Sequence, residues 1–512
     1  MRRVALIVAV LLSGVSNRAV AQATPYVPND DIAYYYVDAL QSRGLLTNLS
    51  TMQRPYYAGA IRAGLDAARG SSHGRVTASY IDALSQALRR FELTEVRDSA
   101  RRSPFRAKAT FDVYATAQTS SLRELMRADW NEDVDPAAAG YFVMAGGHMA
   151  ASVRAILDPR LNADPEFSSK KDRSIAGRTE DAYLSGQWKY AQATFGRLAR
   201  SWGPTQHSGL LLGDDAYTYD HLYARVGTDR INISTVLARL ENYVLTPGTE
   251  TSRYFSVHRL GFKRGAFEGG LSEAYLYTGV HRGLEFSLIN PLNVFGLSWK
   301  NERTDGNLSF GGDLSWRNSR AGIYSFQVLL DDIQIDECDS VCSEPSSYGL
   351  TFSAEGLPLA GEQRAFFSYT RVSNLAYYTP NVSERYSSYL VGLGRGFSDY
   401  DEVRAGVDVA LIPRTPLRLY GARRRQGQGD YRGKYPDPAD YATTPEFLQG
   451  NVWTVSRLGL SGATAIGRDF QITADVGINR NANRFNVVDQ NDTQFEGRVK
   501  TIWVPRWRIR FD

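Results

Sequence analysis

From residue 105 to the end of the chain, apolar and polar side chains alternate, and no long helical pattern recurs. The segments RINISTVLARLENYV (230–244) and DFQITADVGINR (469–480) are examples. A period of two is that of a β-strand, because successive side chains point to opposite faces. Roughly 400 residues of such sequence in one block are too many for an ordinary sandwich. The alternation therefore predicts a closed antiparallel β-barrel.

The last strand indicates what surrounds this barrel. The chain ends in TIWVPRWRIRFD, in which Trp503, Trp507, Ile509 and Phe511 share one parity. Basic side chains occupy the other parity, which predicts an apolar face toward lipid and a polar face toward a wet lumen. The predicted lumen row contains Arg498, Lys500, Arg506, Arg508 and Arg510.

The connections between strands alternate in length. AIGRD, IPRTPL, LPLAGEQ and RNSRA are short, whereas 336–346, 376–400, 427–450 and 481–493 are long. Outer-membrane barrels have short turns at one end and long loops at the other, and single-chain bacterial barrels have an even number of strands. We count nine strands after residue 306 and about nine before it, so the predicted fold class is a mainly β, transmembrane barrel of about 18 strands.

The N-terminal region has a different pattern. Arg2 and Arg3 precede the apolar run 4–15, and Ala19-Val20-Ala21 is a small-x-small cleavage site, which predicts a signal peptide over 1–21. The apolar run is too short to span a bilayer. Three amphipathic helical stripes follow, beginning at Ile32, Ile61 and Tyr80, and predict a periplasmic helical bundle within 22–104. The barrel is expected to occupy 105–512.

Charge and cysteine content narrow the possible partners. The 59 Lys and Arg nearly balance the 55 Asp and Glu, so no nucleic-acid partner is predicted. Cys338 and Cys342 are expected to form a disulfide in an exported protein. A metal site is the alternative, but no histidine lies nearby. No metal or other cofactor is predicted.

Four segments occur in a fixed order along the first part of the barrel: 200–216 (RSWGPTQHSGLLLGDDA), 269–279 (GGLSEAYLYTG), 284–293 (LEFSLINPLN) and 326–336 (FQVLLDDIQID). With the N-terminal helices, they resemble the Wzi-type capsule assembly proteins. The resemblance covers most of the mature chain and is looser after residue 345. It implies an 18-stranded outer-membrane barrel with a periplasmic helical bundle, acting as a lectin that holds capsular polysaccharide to the cell surface.

Read from the residues alone, these segments have structural roles. Trp202 suits a membrane-interface girdle, and Gly203-Pro204 suits the end of a strand. Glu273 is expected to face the lumen and to pair with an arginine. The pairs Asp214-Asp215 and Asp331-Asp332 are expected to be solvated charges at a loop mouth, with Ca²⁺ binding as the alternative.

Polysaccharide recognition favours aromatic rings, which pack on sugar C–H groups, surrounded by hydrogen-bonding and basic side chains. The proposed outer loops contain this mixture. The alternative is that these tyrosines form a membrane aromatic belt or pack the loops together. The candidate sugar-binding residues are Tyr377, Tyr378, Tyr431, Arg432, Lys434, Tyr435 and Tyr441.

The sequence favours a non-enzymatic, monomeric outer-membrane lectin whose partners are surface polysaccharide and outer-membrane lipid. The aromatic Phe511, one residue before the end, suits recognition by the barrel assembly machinery. The alternative is a porin or channel for small solutes or oligosaccharides. An outer-membrane enzyme is a third class, but His207 and His258 have no recognisable catalytic partners in the sequence.

Overall fold

The fold is described from a computed structural model of the chain. It describes residues 23–93, 105–127, 133–168, 170–172, 176–246, 248–302, 306–332, 344–467, 469–505 and 509–511. The predicted signal peptide and the predicted Cys338–Cys342 disulfide lie outside the described residues.

Eighteen antiparallel strands form one sheet, which confirms the predicted fold class and strand number. Two of the strands, β7 and β18, continue after an interruption. The strands are β1 (Arg106–Gln118), β2 (Asp133–Gly146), β3 (Met149–Leu157), β4 (Gly177–Gln187), β5 (Ala191–Arg197), β6 (Asp220–Gly227), β7 (Ile231–Arg239, then Tyr243–Thr246), β8 (Thr249–Arg264), β9 (Phe267–Val280), β10 (Asn307–Asn318), β11 (Gly322–Asp332), β12 (Ser347–Pro358), β13 (Arg364–Val372), β14 (Tyr400–Val409), β15 (Leu417–Gln426), β16 (Trp453–Ile466), β17 (Phe470–Ala482) and β18 (Asp492–Trp503, then Ile509–Phe511).

The sheet closes on itself between its first and last strands. Ala115 of β1 lies opposite Thr501 of β18, and Ala109 lies opposite Ile509 of the continuation. Closure pairs the backbone groups of both terminal strands, so the sheet has no free edge. A closed sheet is a structure that can cross a bilayer, because each backbone N–H and C=O finds its partner within the protein.

The outer surface of the barrel is apolar. Phe195, Leu271, Leu458 and Phe495 are each more than 60% exposed, at 69%, 67%, 64% and 62% respectively. Exposed apolar surface of this extent on a barrel wall is typical of contact with lipid. Phe495 has the parity predicted for the lipid-facing row of β18. Among the described helices, none has both the length and the apolar character needed to span a bilayer.

The two ends of the barrel differ, as the connection lengths predicted. Turns such as 147–148, 265–266 and 319–321 are at one end, which we call the short-turn end. Connections such as 198–219 and 427–452 are at the opposite end, which we call the long-loop end. Most strands therefore run between a short turn and a longer loop, whereas β7 and β8 are joined at the long-loop end by the short connection 247–248.

Three helices cover the short-turn end: α1 (Ala33–Gln41), α2 (Ala58–Arg69) and α3 (Arg75–Ala87). Their apolar stripes are buried as the helical spacing predicted, and they share one core with Ala410 and Ala463 of the barrel. Polar contacts to the turns hold them in place. Tyr36 Oη donates to the Arg414 carbonyl at 2.8 Å, and Gln86 Nε2 donates to the Gly467 carbonyl at 2.7 Å.

Glu362, in the β12–β13 turn, fastens the start of α3. Its carboxylate accepts hydrogen bonds from Val76 N at 3.1 Å and Thr77 N at 2.7 Å. Partial burial opposes ionisation, but the hydrogen bonds from Thr77 and Val76 hold the pKa of Glu362 below its usual value. The ionised carboxylate also lies at the positive end of the helix dipole.

Replacing Glu362 with glutamine is expected to loosen α3. Losing a charged cap costs about 1 kcal/mol, so amide exchange in α3 should become roughly fivefold faster. In the wild-type protein, the ionised Glu362 carboxylate stabilises α3 at pH values above the pKa that this group has in the unfolded chain. This stabilisation is lost as the pH falls through the lower pKa of Glu362 in the folded protein. In Glu362→Gln, the stability of α3 should no longer depend on pH in this range. Hydrogen exchange measured by mass spectrometry checks this, with Glu250→Gln at the long-loop end as control. Equal exchange in α3 of both variants would contradict it.

The prediction that the Glu273 side chain faces the lumen and pairs with an arginine is wrong. Glu273 shares its parity on β9 with the lipid-facing Leu271, so it points out of the barrel. Its carboxylate accepts from Phe295 N at 2.8 Å and from Gly296 N at 2.6 Å. These N–H groups begin the helix Phe295–Glu302, which lies against the outer wall. A helix N-terminus, not an arginine, therefore compensates the charge.

Candidate functional site

The connection between β5 and β6, residues 198–219, enters the lumen, and we call it the inserted segment. Near the helices, Ser201–Trp202 pairs with Gln53–Arg54. Trp202 is only 3% exposed and lies in the central core, so the prediction that it belongs to a membrane-interface girdle is wrong. The segment folds back on itself through a bridge between Trp202 and Leu212.

The barrel wall holds the inserted segment by specific contacts. Gln327 of β11 accepts from Leu210 N at 3.1 Å and donates to the Trp202 carbonyl at 2.7 Å. Gly209 lies so close to the backbone that a Cβ atom would be 2.1 Å from the Trp202 carbonyl oxygen. Leu210 and Leu211 are 0% and 2% exposed. The segment is therefore a packed part of the core and not a loose loop.

The long loops grip the inserted segment from the other side. Tyr377 Oη donates to the Leu210 carbonyl at 2.8 Å, and Tyr386 Oη donates to the Leu211 carbonyl at 2.6 Å. Burial raises the pKa of Tyr377 well above its usual value, so its phenol stays protonated as a donor. Contacts thus run from the helices, through the inserted segment, to the long loops.

Asp399 ties two long loops together. Its carboxylate accepts from Gly429 N at 2.9 Å, Leu448 N at 2.6 Å and Gln449 N at 3.0 Å. Burial raises the pKa of Asp399, while the backbone donors oppose that rise. This carboxylate joins the end of the 373–399 loop to both ends of the 427–452 loop. The loops therefore form a built surface over the barrel mouth.

The structure divides the predicted sugar-binding residues into two groups. Tyr377 and Tyr431 are 0% exposed, and Tyr431 Oη donates to the Gly396 carbonyl at 2.6 Å. In this arrangement both rings pack the loops and cannot contact an external ligand. These two residues therefore belong to the packed interior of the loops.

The second group lies at the surface, and we call Tyr378, Tyr435 and Tyr441 the tyrosine surface. All three are half-buried. The ring centroids of Tyr378 and Tyr435 are 5.5 Å apart, and those of Tyr435 and Tyr441 are 6.3 Å apart at nearly right angles. Such an arrangement offers several ring faces to one extended ligand.

Polar groups surround the tyrosine surface. Lys434 is exposed and pairs with Asp437 at 2.6 Å, and Arg432 pairs with Asp430 at 2.9 Å. Arg385 donates to the Gly433 carbonyl at 3.0 Å and so supports the tip of the loop. The surface thus combines aromatic faces with charged hydrogen-bonding groups.

A recess inside the barrel was missed by sequence reasoning. Its volume is about 420 Å³, within the roughly 300–1,000 Å³ of small-molecule sites. Tyrosine rings and basic side chains come together here from four strands and three connections. They are Tyr114, Tyr141, Tyr217, Arg123, Arg154, Arg160, Arg498 and Lys500.

Contacts within the protein compensate much of the charge in this recess. Arg154 pairs with Asp30 at 2.8 Å and with Asp181 at 2.6 Å. Arg498 donates to the Leu122 carbonyl at 2.7 Å, and the Lys500 ammonium lies 4.3 Å from the centre of the Tyr114 ring. The predicted lumen row of β18 is confirmed for Arg498 and Lys500. Arg506 and Arg508 lie outside the described residues.

Comparison with known proteins supports the fold. No protein-family profile matches the chain, and no curated protein matches it in sequence. Among solved structures it is similar to Wzi, an outer membrane protein involved in group 1 capsule assembly in Escherichia coli, described as a carbohydrate-binding β-barrel. The two are 13% identical, with a TM-score of 0.60 over 95% of this chain and 99% of Wzi. The chain has the Wzi fold.

Two further structures are more distant. OprD from Pseudomonas aeruginosa is 9% identical, with a TM-score of 0.43 over 80% of this chain and 94% of OprD. OccAB3 from Acinetobacter baumannii is 8% identical, with a TM-score of 0.44 over 80% of this chain and 99% of OccAB3. The comparison with Wzi alone confirms, as a likeness of fold, the resemblance that the sequence segments indicated.

Proposed function

We propose that this protein binds and anchors capsular or other surface polysaccharide at the bacterial outer membrane. In this proposal the signal peptide directs export, and the barrel assembly machinery inserts the chain as a monomer. The long loops then face outward and the helices face the periplasm. The protein acts by binding and carries out no catalytic step.

The observation that carries the proposal is that the inserted segment occupies the lumen, while loops held together by hydrogen bonds cover the long-loop end of the barrel. A channel needs a continuous water path, but the inserted segment crosses the lumen and its Leu210 is fully buried. A binding protein needs fixed side chains at the outer end, and the tyrosine surface is held there by loops tied through Asp399. The likeness to Wzi, a barrel described as carbohydrate-binding, supports the same function.

Two measurements on the purified, detergent-solubilised protein test the proposal. Isothermal titration with surface polysaccharide purified from the producing strain should give saturable binding. Recordings in planar bilayers should give no steady openings. Steady openings together with the absence of binding would overturn the proposal in favour of a porin.

A further inference from the structure

The outer wall near the long-loop end carries a group of arginines, Arg371, Arg423, Arg425 and Arg480, which we call the arginine rim. We propose that the arginine rim binds the phosphate groups of a phosphorylated lipid in the outer leaflet. This inference goes beyond the proposed function, since it concerns the membrane around the barrel and not the polymer above it.

Strand parity shows that these arginines point outward. On β15, Arg423 and Arg425 have the parity of Leu419, which is 48% exposed on the lipid-facing wall. On β17, Arg480 has the parity of Ile478, which is 52% exposed. On β13, Arg371 has the parity of Phe367, which is 38% exposed.

The sheet register brings the four arginines together. Asp401 of β14 lies opposite Arg371 on one side and opposite Arg425 on the other. Ser456 of β16 lies opposite Arg423 on one side and opposite Arg480 on the other. Neighbouring strands are about 4.8 Å apart, so the backbones at Arg423 and Arg480 are separated by about 10 Å.

The arginine rim lies at the upper edge of the apolar wall. Val403 is directly opposite Arg423 and is 40% exposed. Leu458 is two residues from Ser456 along β16, and Ile478 is two residues from Arg480 along β17, which is a step of about 7 Å. A side chain one step above lipid-facing residues is at the depth of the lipid headgroups.

Positive charge is in excess at this edge. The Asp401 carboxylate is bound by Arg425, with Nε at 3.0 Å from Oδ1, and Glu446 is 3.9 Å from Arg371. Arg423 and Arg480 are exposed, and within the described part of the chain neither forms an ion pair or a side-chain hydrogen bond. Two free guanidinium groups thus face the headgroup layer.

Two other arginines of the barrel have carboxylate partners within the protein. On the lumen side of the same strand, Arg424 pairs with Glu402, with Nε at 2.9 Å from the carboxylate. At the long-loop end of β5, outside the rim, Arg197 pairs with Asp220 at 3.0 Å. Planar guanidinium groups bind phosphate oxygens through two parallel hydrogen bonds, so a phosphorylated headgroup supplies the missing negative charge.

Native mass spectrometry of the full-length protein in detergent tests the inference. Diphosphoryl lipid A should bind, and its completely dephosphorylated form should bind at least about tenfold more weakly. The double variant Arg423→Gln/Arg480→Gln should lose at least about tenfold in affinity for the diphosphoryl form. The matched control is Arg264→Gln, which removes an exposed arginine from the short-turn end of β8, the end opposite the arginine rim, and should leave binding unchanged.

Each other outcome overturns the inference. Equal binding by the wild-type protein and the double variant would exclude the arginine rim, provided that heat-modifiability on a denaturing gel shows that both barrels are folded. Equal binding of the phosphorylated and dephosphorylated lipids would exclude phosphate recognition. Complete competition by inorganic phosphate at the lipid's own concentration would indicate a site for the free ion and not for a lipid.

Discussion

A Leu210→Asp/Leu211→Asp variant is expected to show steady single-channel openings in planar bilayers, whereas the wild-type protein stays silent. Both leucines are buried at the centre of the lumen. An unpaired charge in such a place costs on the order of 3–5 kcal/mol. The inserted segment is held by side-chain packing and individual hydrogen bonds, whereas the barrel wall is held by the backbone hydrogen bonds of eighteen paired strands. The segment should therefore leave the lumen before the wall unfolds.

The matched control keeps the volume and apolar character of both side chains. A Leu210→Ile/Leu211→Ile variant should remain closed, because such swaps usually cost under about 1.5 kcal/mol. Heat-modifiability on a denaturing gel reports whether each barrel is intact. A folded aspartate variant that stays silent would mean that the inserted segment is not what closes the lumen.

Alanine at Tyr378, Tyr435 and Tyr441 together is expected to weaken polysaccharide binding by roughly 30- to 150-fold. This corresponds to about 2–3 kcal/mol for the loss of three half-buried rings at the centre of a proposed binding surface. Tyr431 is left unchanged, because its buried ring packs the loops and its removal would disturb the surface itself. Titration calorimetry with purified polysaccharide gives the measurement.

Tyr190 provides the matched control for this experiment. It is 55% exposed in the β4–β5 turn, at the end of the barrel opposite the tyrosine surface. Tyr190→Ala should leave polysaccharide affinity unchanged. If the triple variant binds as tightly as Tyr190→Ala, the tyrosine surface is not the binding site and the ligand contacts another part of the protein.

The sequence predicted the site only in part. It pointed to the loops that form the tyrosine surface, because clusters of tyrosine and basic residues between strands are visible without a fold; sugar binding by these loops stays a prediction. It could not separate Tyr431 from Tyr435, which are four residues apart, since burial depends on what the rest of the chain places above each ring. The recess at Arg154 and Lys500 was missed for a related reason. Its walls come from both ends of the sequence and meet only when β18 closes on β1.

The sequence by itself determined the features that repeat over a few residues, namely the strands and the helices. Alternation of side chains determined the strands and their lipid-facing parity, and the spacing of Ile61, Leu65 and Ala68 determined a helix. Tertiary structure decided which groups meet across strands: the inserted segment against Gln327, Glu273 against a helix N-terminus, and Arg423 near Arg480. The physical reason is that side-chain parity is a local property of the backbone. Strand register and the path of a loop through the lumen depend on contacts between residues far apart in the chain.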